Sequence, residues 1–411
     1  MNNHLLFRIF AIFLVLTQTF SPINLIFRFG HTLKFALFVG VGIALFPSLL
    51  SKRSIGACFF YGIVMLTYFL VGNSFFNSII SITTSWLIMM SGLLMTEYAI
   101  KYDKNNKFTL AIVVCLFASN VLMALISIPQ LLINPDIIRW ESHFHEVEGG
   151  EMAFIWLMKY QTMHGIPFLI APLVFLCRRS FPKNKKLSVI WIGTASILLY
   201  VVFLSNATTS LLLSLLMLIL SMAFNRESFD KKSCTSIIVV GILGLILIQP
   251  TTIAVVLGFM QQFMNPSGSG YKRVEEFSYS LTHGMDSDGD MGMRQDLYTS
   301  SSNLFLDSPL FGTSTPELIS QHSWVFDRLA LFGVFFIIPL ILLFVFHYKT
   351  TYRSLNRTRF VYLLGVSSML IMLTTKNDFG QGTWLYGFAY LPLLCRYIDY
   401  LYVKSFKVKI L

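Results

Sequence analysis

The sequence has 411 residues, of which 55% are hydrophobic and only 12% are charged, and its mean hydropathy is +0.68. Soluble domains carry about 25% charged residues, so this composition excludes an ordinary soluble protein and predicts an all-α, polytopic integral membrane protein. The net charge of +11 is typical of nucleic-acid-binding proteins, but the placement of the basic residues excludes that function.

Twelve segments are apolar enough to be membrane spans, which need about 20 predominantly apolar residues each. They cover residues 5–26, 33–50, 55–74, 78–99, 108–128, 153–176, 187–204, 207–224, 235–249, 329–347, 360–375 and 383–403. Arg8 precedes the first apolar run, and no small-x-small cleavage site follows, so an uncleaved first helix is predicted. The five cysteines form no CxxC pair and are interpreted as buried thiols.

The distribution of lysine and arginine predicts the orientation, because these residues accumulate on the cytoplasmic side. Twenty basic residues follow the even-numbered spans and eight follow the odd-numbered ones. Both termini are therefore predicted to be cytoplasmic. The predicted organisation is a membrane domain of nine spans (1–249) with an outward loop at 129–152, a large outward loop (250–328), and three further spans (329–411). The positive charge orients the chain and contacts anionic lipids.

The outward segments carry candidate phosphate ligands, because a guanidinium donates bidentate hydrogen bonds and stays charged. Four arginines lie there: Arg139, Arg273, Arg294 and Arg328. The alternative for each is a solvated charge or a head-group anchor. Residues 293–305 have helical spacing, and the tight turn Asn206–Ser210 predicts that the seventh and eighth spans are antiparallel neighbours.

Three ionisable residues close to or inside the spans are further candidates. His322 precedes the tenth span and is a candidate general base, although a loop histidine is more often only solvated. Lys159 and His164 lie within the predicted sixth span, where ionisable residues are usually functional. Lys159, about two turns from the outer end, either extends to the surface or lines an outward cavity.

No metal site and no other cofactor are expected. His143 and His145 lack a third ligand. The turn Asp286–Asp290 resembles the start of a calcium loop, but Met291 and Leu297 stand where that loop requires glycine and glutamate.

The order of the segments and several motifs resemble the bacterial O-antigen polymerase and ligase superfamily, the Wzy and WaaL proteins. The motifs are Arg294-Gln-Asp-Leu-Tyr, Ser308-Pro-Leu-Phe-Gly312, His322-Ser and Leu331-Phe-Gly333. Arg139–Gly150 and Arg273–Gly284 each match the arginine-x10-glycine spacing described for Wzy-type polymerases. The hairpin Ser205–Ser210 lacks the arginine that ligase-like members often carry, which favours a polymerase, and Thr313-Ser314 replaces the usual second glycine after the turn.

This resemblance implies a GT-C-like fold and a glycosyltransferase of the inner membrane with a periplasmic active site. The donor would be an undecaprenyl-pyrophosphate-linked glycan and the acceptor a sugar hydroxyl of a new lipid-linked repeat. Arg294 and Arg273 would stabilise the leaving pyrophosphate, while Arg139 would lie nearer the acceptor. His322 would orient or deprotonate the hydroxyl. Membrane lipids are expected partners, and the resemblance leaves room for a chain-length regulator.

Two rival functions stay open on the sequence. One is a ligase that transfers finished polymer to lipid A–core. The other is a flippase or transporter without catalysis, which twelve spans also suit. Transporters usually place their substrate sites at the bilayer midplane on broken helices, whereas most of the candidate residues here lie in outward loops.

Overall fold

The computed structural model of the protein describes residues 2–20, 22–23, 31–71, 75–135, 137–140, 157–180, 185–205, 207–223, 257–259, 261–264, 266, 269–283, 290–313, 323–375 and 383–407. Every regular element in these ranges is a helix, so the predicted all-α class is confirmed. The predicted ninth span (235–249) lies outside the described residues.

The helices alternate with short connections along most of the described chain. They are α1 (Asn3–Thr19), α2 (His31–Leu45), α3 (Lys52–Val71), α4 (Phe75–Tyr102), α5 (Lys107–Ile133), α6 (Ile137–Trp140), α7 (Tyr160–Ser180), α8 (Lys185–Leu204), α9 (Thr208–Ala223), α10 (Ser269–His283), α11 (Asp290–Asp307), α12 (Trp324–Ser354), α13 (Arg359–Thr375) and α14 (Leu391–Lys407). A short α turn (Thr383–Leu385) and one π turn (Tyr386–Tyr390) lead directly into α14.

Several helices are suited to a lipid environment, as expected of a polytopic membrane protein. In the described residues, α5, α8 and α12 are long and apolar enough to cross a membrane, and α1, α2, α7, α9 and α13 contain shorter apolar stretches. On α12, Leu340 and Leu343 are buried in the protein, whereas Ile338 and Ile341 are exposed. A helix that is apolar on both its inner and its outer face is typical of a membrane span.

Helix α7 lies at the centre of the bundle and contacts α8, α9, α13 and α14. Helices α8 and α9 follow each other through Ser205 and Ala207 and also contact each other, which confirms the predicted tight hairpin. Towards the C-terminus, α12 packs against α3, α11 and α13, and α11 packs in turn against α10. This last series of contacts brings together the helices that carry three of the candidate arginines.

Two buried or partly buried carboxylates hold the short connections on the predicted cytoplasmic side. Asp103 accepts hydrogen bonds from the backbone N–H groups of Phe108 (3.1 Å) and Thr109 (2.8 Å) at the start of α5. Asp399 of α14 accepts from the N–H groups of Asn356 (2.7 Å) and Thr358 (3.0 Å) between α12 and α13. These bonds satisfy backbone donors that a helix end would otherwise leave without acceptors.

Candidate active site

The predicted outer part of α12 is interrupted at Gly333, whose backbone is not helical (φ 68°, ψ −167°). The turn at 308–312 packs into this break. The N–H of Val334 donates to the carbonyl of Pro309 (2.9 Å), and the N–H of Thr313 donates to the carbonyl of Ala330 (2.8 Å). The inserted turn therefore supplies partners for backbone groups that the interrupted helix cannot pair internally. We call residues 308–313 and 330–335 the glycine interlock.

The interlock depends on two facing glycines. Gly312 has a φ of 73° and Gly333 a φ of 68°, a region that residues with a Cβ rarely adopt. A Cβ on Gly312 would overlap the backbone of Leu331, and one on Gly333 would overlap the carbonyl of Leu310. The motifs Ser308–Gly312 and Leu331–Gly333 of the sequence thus bind each other through main chain packed against main chain.

A buried carboxylate forms a second link between α11 and α12. Asp327, which is fully buried, accepts a hydrogen bond from the Ser301 hydroxyl on α11 through Oδ1 (2.9 Å). Its Oδ2 accepts from the backbone N–H of Ser323 (3.1 Å). Ser323 is the N-cap of α12, and its own hydroxyl accepts from the N–H of Phe326 (3.3 Å). The start of α12 is therefore attached to the middle of α11.

Three of the predicted phosphate ligands lie on helices that pack in series. Arg273 is on α10, Arg294 on α11 and Arg328 on α12; α10 contacts α11, and α11 contacts α12. The guanidinium of Arg328 lies over the ring of Phe332, 5.6 Å from its centroid. The side chains of Arg273 and Arg294 lie outside the described residues, so their predicted approach to one ligand stays a prediction.

Lys159 lies directly before a helix, whereas the sequence predicted that it lies inside the span at 153–176. Helix α7 begins at Tyr160, and Lys159 directly precedes it, with its carbonyl accepting from the N–H groups of Thr162 (2.9 Å) and Met163 (3.3 Å). Residues 157–159 are not helical, and the N–H of Met158 donates to the Ser127 hydroxyl of α5 (2.8 Å). Lys159 therefore lies at the start of α7, and whether it extends to the surface or lines an outward cavity stays a prediction.

Lys34, which sequence reasoning did not select, lies near Lys159. The two ammonium groups are close enough to interact electrostatically, and Lys34 is buried. Two lysine side chains near each other at the predicted outer boundary are suited to contact an anionic head group. The signal in the sequence was a lysine at the first turn of an apolar segment.

The remaining predicted residues are not brought together by the described part of the chain. Arg139 belongs to the short helix α6, which packs against α5, and its side chain is not described. His322, Gly150 and Gly284 lie outside the described residues, as do His143, His145 and most of the Asp286–Asp290 turn. The described residues contain no cluster of three or more histidines, cysteines or carboxylates that would hold a metal ion.

Two further polar groups lie inside the bundle; sequence reasoning had selected His164 of the first group and no residue of the second. His164 of α7 is buried, and its Nδ1 lies 2.8 Å from the Ser210 hydroxyl of α9. Arg53 of α3 pairs with Glu97 of α4, and its Nη1 lies 3.1 Å from Nδ1 of His347 on α12. A glutamate within an apolar span was a usable signal for the second group, since such residues are rarely unpaired in membranes.

The comparison with protein families concerns a segment that contains α11 and the 308–313 half of the interlock. Residues 193–330 match the model of a family described as O-antigen ligase (Wzy_C). The match supports the O-antigen polymerase and ligase superfamily. It covers about a third of the chain, from α8 to the first turns of α12, and includes Arg273, Arg294 and His322.

The matched family consists of glycosyltransferase-like enzymes and implies a polymerase- or ligase-type function in the assembly of surface polysaccharides; it does not distinguish the two. No curated protein and no solved structure matches the chain.

Proposed function

We propose that the protein polymerises undecaprenyl-pyrophosphate-linked oligosaccharide repeats into O-antigen or a related surface polysaccharide at the periplasmic face of the inner membrane. The growing glycan is transferred from its lipid carrier to a sugar hydroxyl of a new lipid-linked repeat. The superfamily match at residues 193–330 supports the reaction class. The two arginine-x10-glycine spacings and the hairpin without arginine support the polymerase.

One structural observation carries the proposal. The helix with Arg294 and the residue that follows His322 are joined through a single buried carboxylate, since Asp327 bonds both Ser301 and Ser323. The glycine interlock holds the same two helices a few residues away. The helix of the predicted cation is thus hydrogen-bonded to the start of α12, and the predicted general base directly precedes that start in the sequence. This supports the proposal, because a transfer reaction requires its catalytic groups in a fixed arrangement.

In this reaction the protein forms no covalent bond to the substrate. Its main task is to stabilise the negative charge that develops on the leaving pyrophosphate. The acceptor hydroxyl oxygen attacks the anomeric carbon of the donor as the bond from that carbon to the pyrophosphate oxygen breaks. The electron pair leaves with the lipid pyrophosphate, whose negative charge Arg294 and Arg273 stabilise. His322 takes the proton of the attacking hydroxyl. Arg139, Arg328 and Lys159 contact the glycan or the second carrier.

Replacement of Arg294 or His322 tests these roles. In a detergent assay with purified protein and lipid-linked repeats, Arg294→Ala and His322→Ala are expected to lower the rate of chain extension by about 100-fold or more, because each removes stabilisation of the transition state. The lengths of the lipid-linked products are read on a gel. Lys272→Ala removes an exposed charge beside Arg273 and is expected to keep the wild-type rate. Wild-type product lengths in both active-site variants would contradict the assignment.

The ligase is the second candidate, because the matched family is described as O-antigen ligase. The two functions differ in their acceptor. In a Gram-negative host, loss of a polymerase leaves core oligosaccharide that bears one repeat, whereas loss of a ligase leaves core that bears none. One gel of lipopolysaccharide from a deletion strain separates them. Consumption of lipid-linked repeats in detergent, where no second compartment exists, excludes a pure transporter.

A further inference from the structure

The carboxylate of Asp327 is placed to control the geometry between two helices. Each of its oxygens has a different partner: the Ser301 hydroxyl of α11 at 2.9 Å and the backbone N–H of Ser323 at 3.1 Å. All three residues are fully buried. A hydrogen bond to a buried carboxylate is stronger and more directional than one between neutral groups, so this three-residue link resists rotation of α11 against α12.

We propose that Asp327 is a positioning residue for the proposed glycan transfer, setting the helix that carries Arg294 against the start of α12, which His322 directly precedes in the sequence. The inference rests on the proposed function. It assigns to Asp327 no contact with the substrate and no proton transfer.

The register of α11 supports this role. Ser301 follows Arg294 by seven residues, which is almost two helical turns, so the two positions lie on the same face of α11 about 10 Å apart along its axis. The Ser301 position on that face meets α12. A change in the angle between the two helices therefore moves position 294 relative to the start of α12.

The interlock also holds α11 to α12, so the Asp327 link can be removed without separating the two helices. The pair of glycines and the main-chain hydrogen bonds at 308–313 and 330–335 hold α11 to α12 at one point. Asp327 and Ser301 hold them at a second point, beside a ring contact between Tyr298 and Phe326 with centroids 5.9 Å apart. Loss of the second point leaves the helices attached but able to pivot.

A purely structural alternative is that Asp327 only caps the first turn of α12. Substitutions at Ser301 distinguish the two, since the hydrogen bonds within the cap at Ser323 do not involve Ser301. Ser301→Thr keeps a hydroxyl for Oδ1 of Asp327. Ser301→Val has nearly the shape of Ser301→Thr but lacks the hydroxyl, so any effect of added volume is common to both variants.

The experiment compares kcat and KM for chain extension in the purified full-length protein. Ser301→Val and Asp327→Asn are expected to lower kcat by on the order of ten- to hundred-fold, with KM for the lipid-linked repeat nearly unchanged, because small misplacements of catalytic groups act on the transition state. Ser301→Thr is expected to stay within about threefold of wild type, since it keeps the hydrogen-bond donor. Ser302→Ala is the matched control, because the Ser302 hydroxyl bonds the carbonyl of Tyr298 within α11.

Three outcomes separate the possibilities. Equal kcat in Ser301→Thr and Ser301→Val, whether both high or both low, overturns the positioning role and leaves the proposed function standing. A loss confined to Ser301→Val and Asp327→Asn supports it. A wild-type protein that extends no chain and transfers none to lipid A–core overturns the proposed function and the role of Asp327 together.

Discussion

Gly333→Ala is expected to unfold the interlock and abolish polymer formation. The φ of 68° and ψ of −167° at this residue are open almost only to glycine. The added Cβ would also overlap the carbonyl of Leu310, which is main chain and has no rotamer by which to move away. The strain and the loss of the main-chain hydrogen bonds together destabilise the protein by about 2–5 kcal/mol, a large part of the stability of a typical domain.

Thermal unfolding in detergent and a gel of the polymer measure this effect. Gly193→Ala is the control, because Gly193 is inside α8 and a Cβ there meets no atom within 4 Å. Its unfolding temperature is expected to stay at the wild-type value or to rise slightly, as helical glycine is less favourable than alanine. Gly312→Ala is expected to behave like Gly333→Ala. Wild-type stability in Gly333→Ala would show that the interlock is not formed.

Glu97→Gln is expected to give the second large loss of stability. Glu97 and Arg53 are both buried and form an ion pair across α3 and α4. Removing the carboxylate leaves the Arg53 guanidinium inside the bundle without its counter-charge, and breaking a buried pair in this way costs about 3–5 kcal/mol. Because Arg53 also bonds His347 and Thr351 of α12, the loss is expected to loosen the predicted cytoplasmic end of that helix.

Two comparison variants test the physical cause. Lys101→Gln removes a charge 3.8 Å from the same carboxylate, but the Lys101 side chain is 37% exposed, so an effect of about 1 kcal/mol or less is expected. Replacing Arg53 by Met together with Glu97 by Leu removes both charges and is expected to recover much of the loss. The unfolding temperature is the measurement in each case. An unfolding temperature equal to wild type in Glu97→Gln would contradict a buried, tightly coupled pair.

The class of fold and the order of helices were predictable because they depend on local composition. The predicted spans at 187–204 and 207–224 correspond to α8 and α9, and the helical spacing at 293–305 corresponds to α11. Apolar periodicity and turn residues are local patterns of a few neighbouring residues. A single sequence is therefore enough to predict where these helices lie. The break in α12 was not predicted, because Leu331–Gly333 stands inside an unbroken apolar run.

The candidate site depends on local sequence motifs and on tertiary contacts. Its motifs were visible in the sequence, and so were the arginines on α10, α11 and α12. That α10, α11 and α12 pack in series is a tertiary contact. The surroundings of Lys159 are likewise tertiary, since the N–H of the preceding Met158 donates to Ser127 of another helix.

Sequence alone was thus sufficient for an all-helical membrane protein and for the residue types suited to a lipid-linked phosphate, because hydrophobic runs and charged groups are local properties. Only the tertiary structure joined Gly312 to Gly333, Ser301 to Asp327 and Arg53 to Glu97. Each of these pairs joins separate segments of the chain, and each is buried in the protein. Neither the proximity nor the burial of such a pair is encoded in the spacing of residues along the chain.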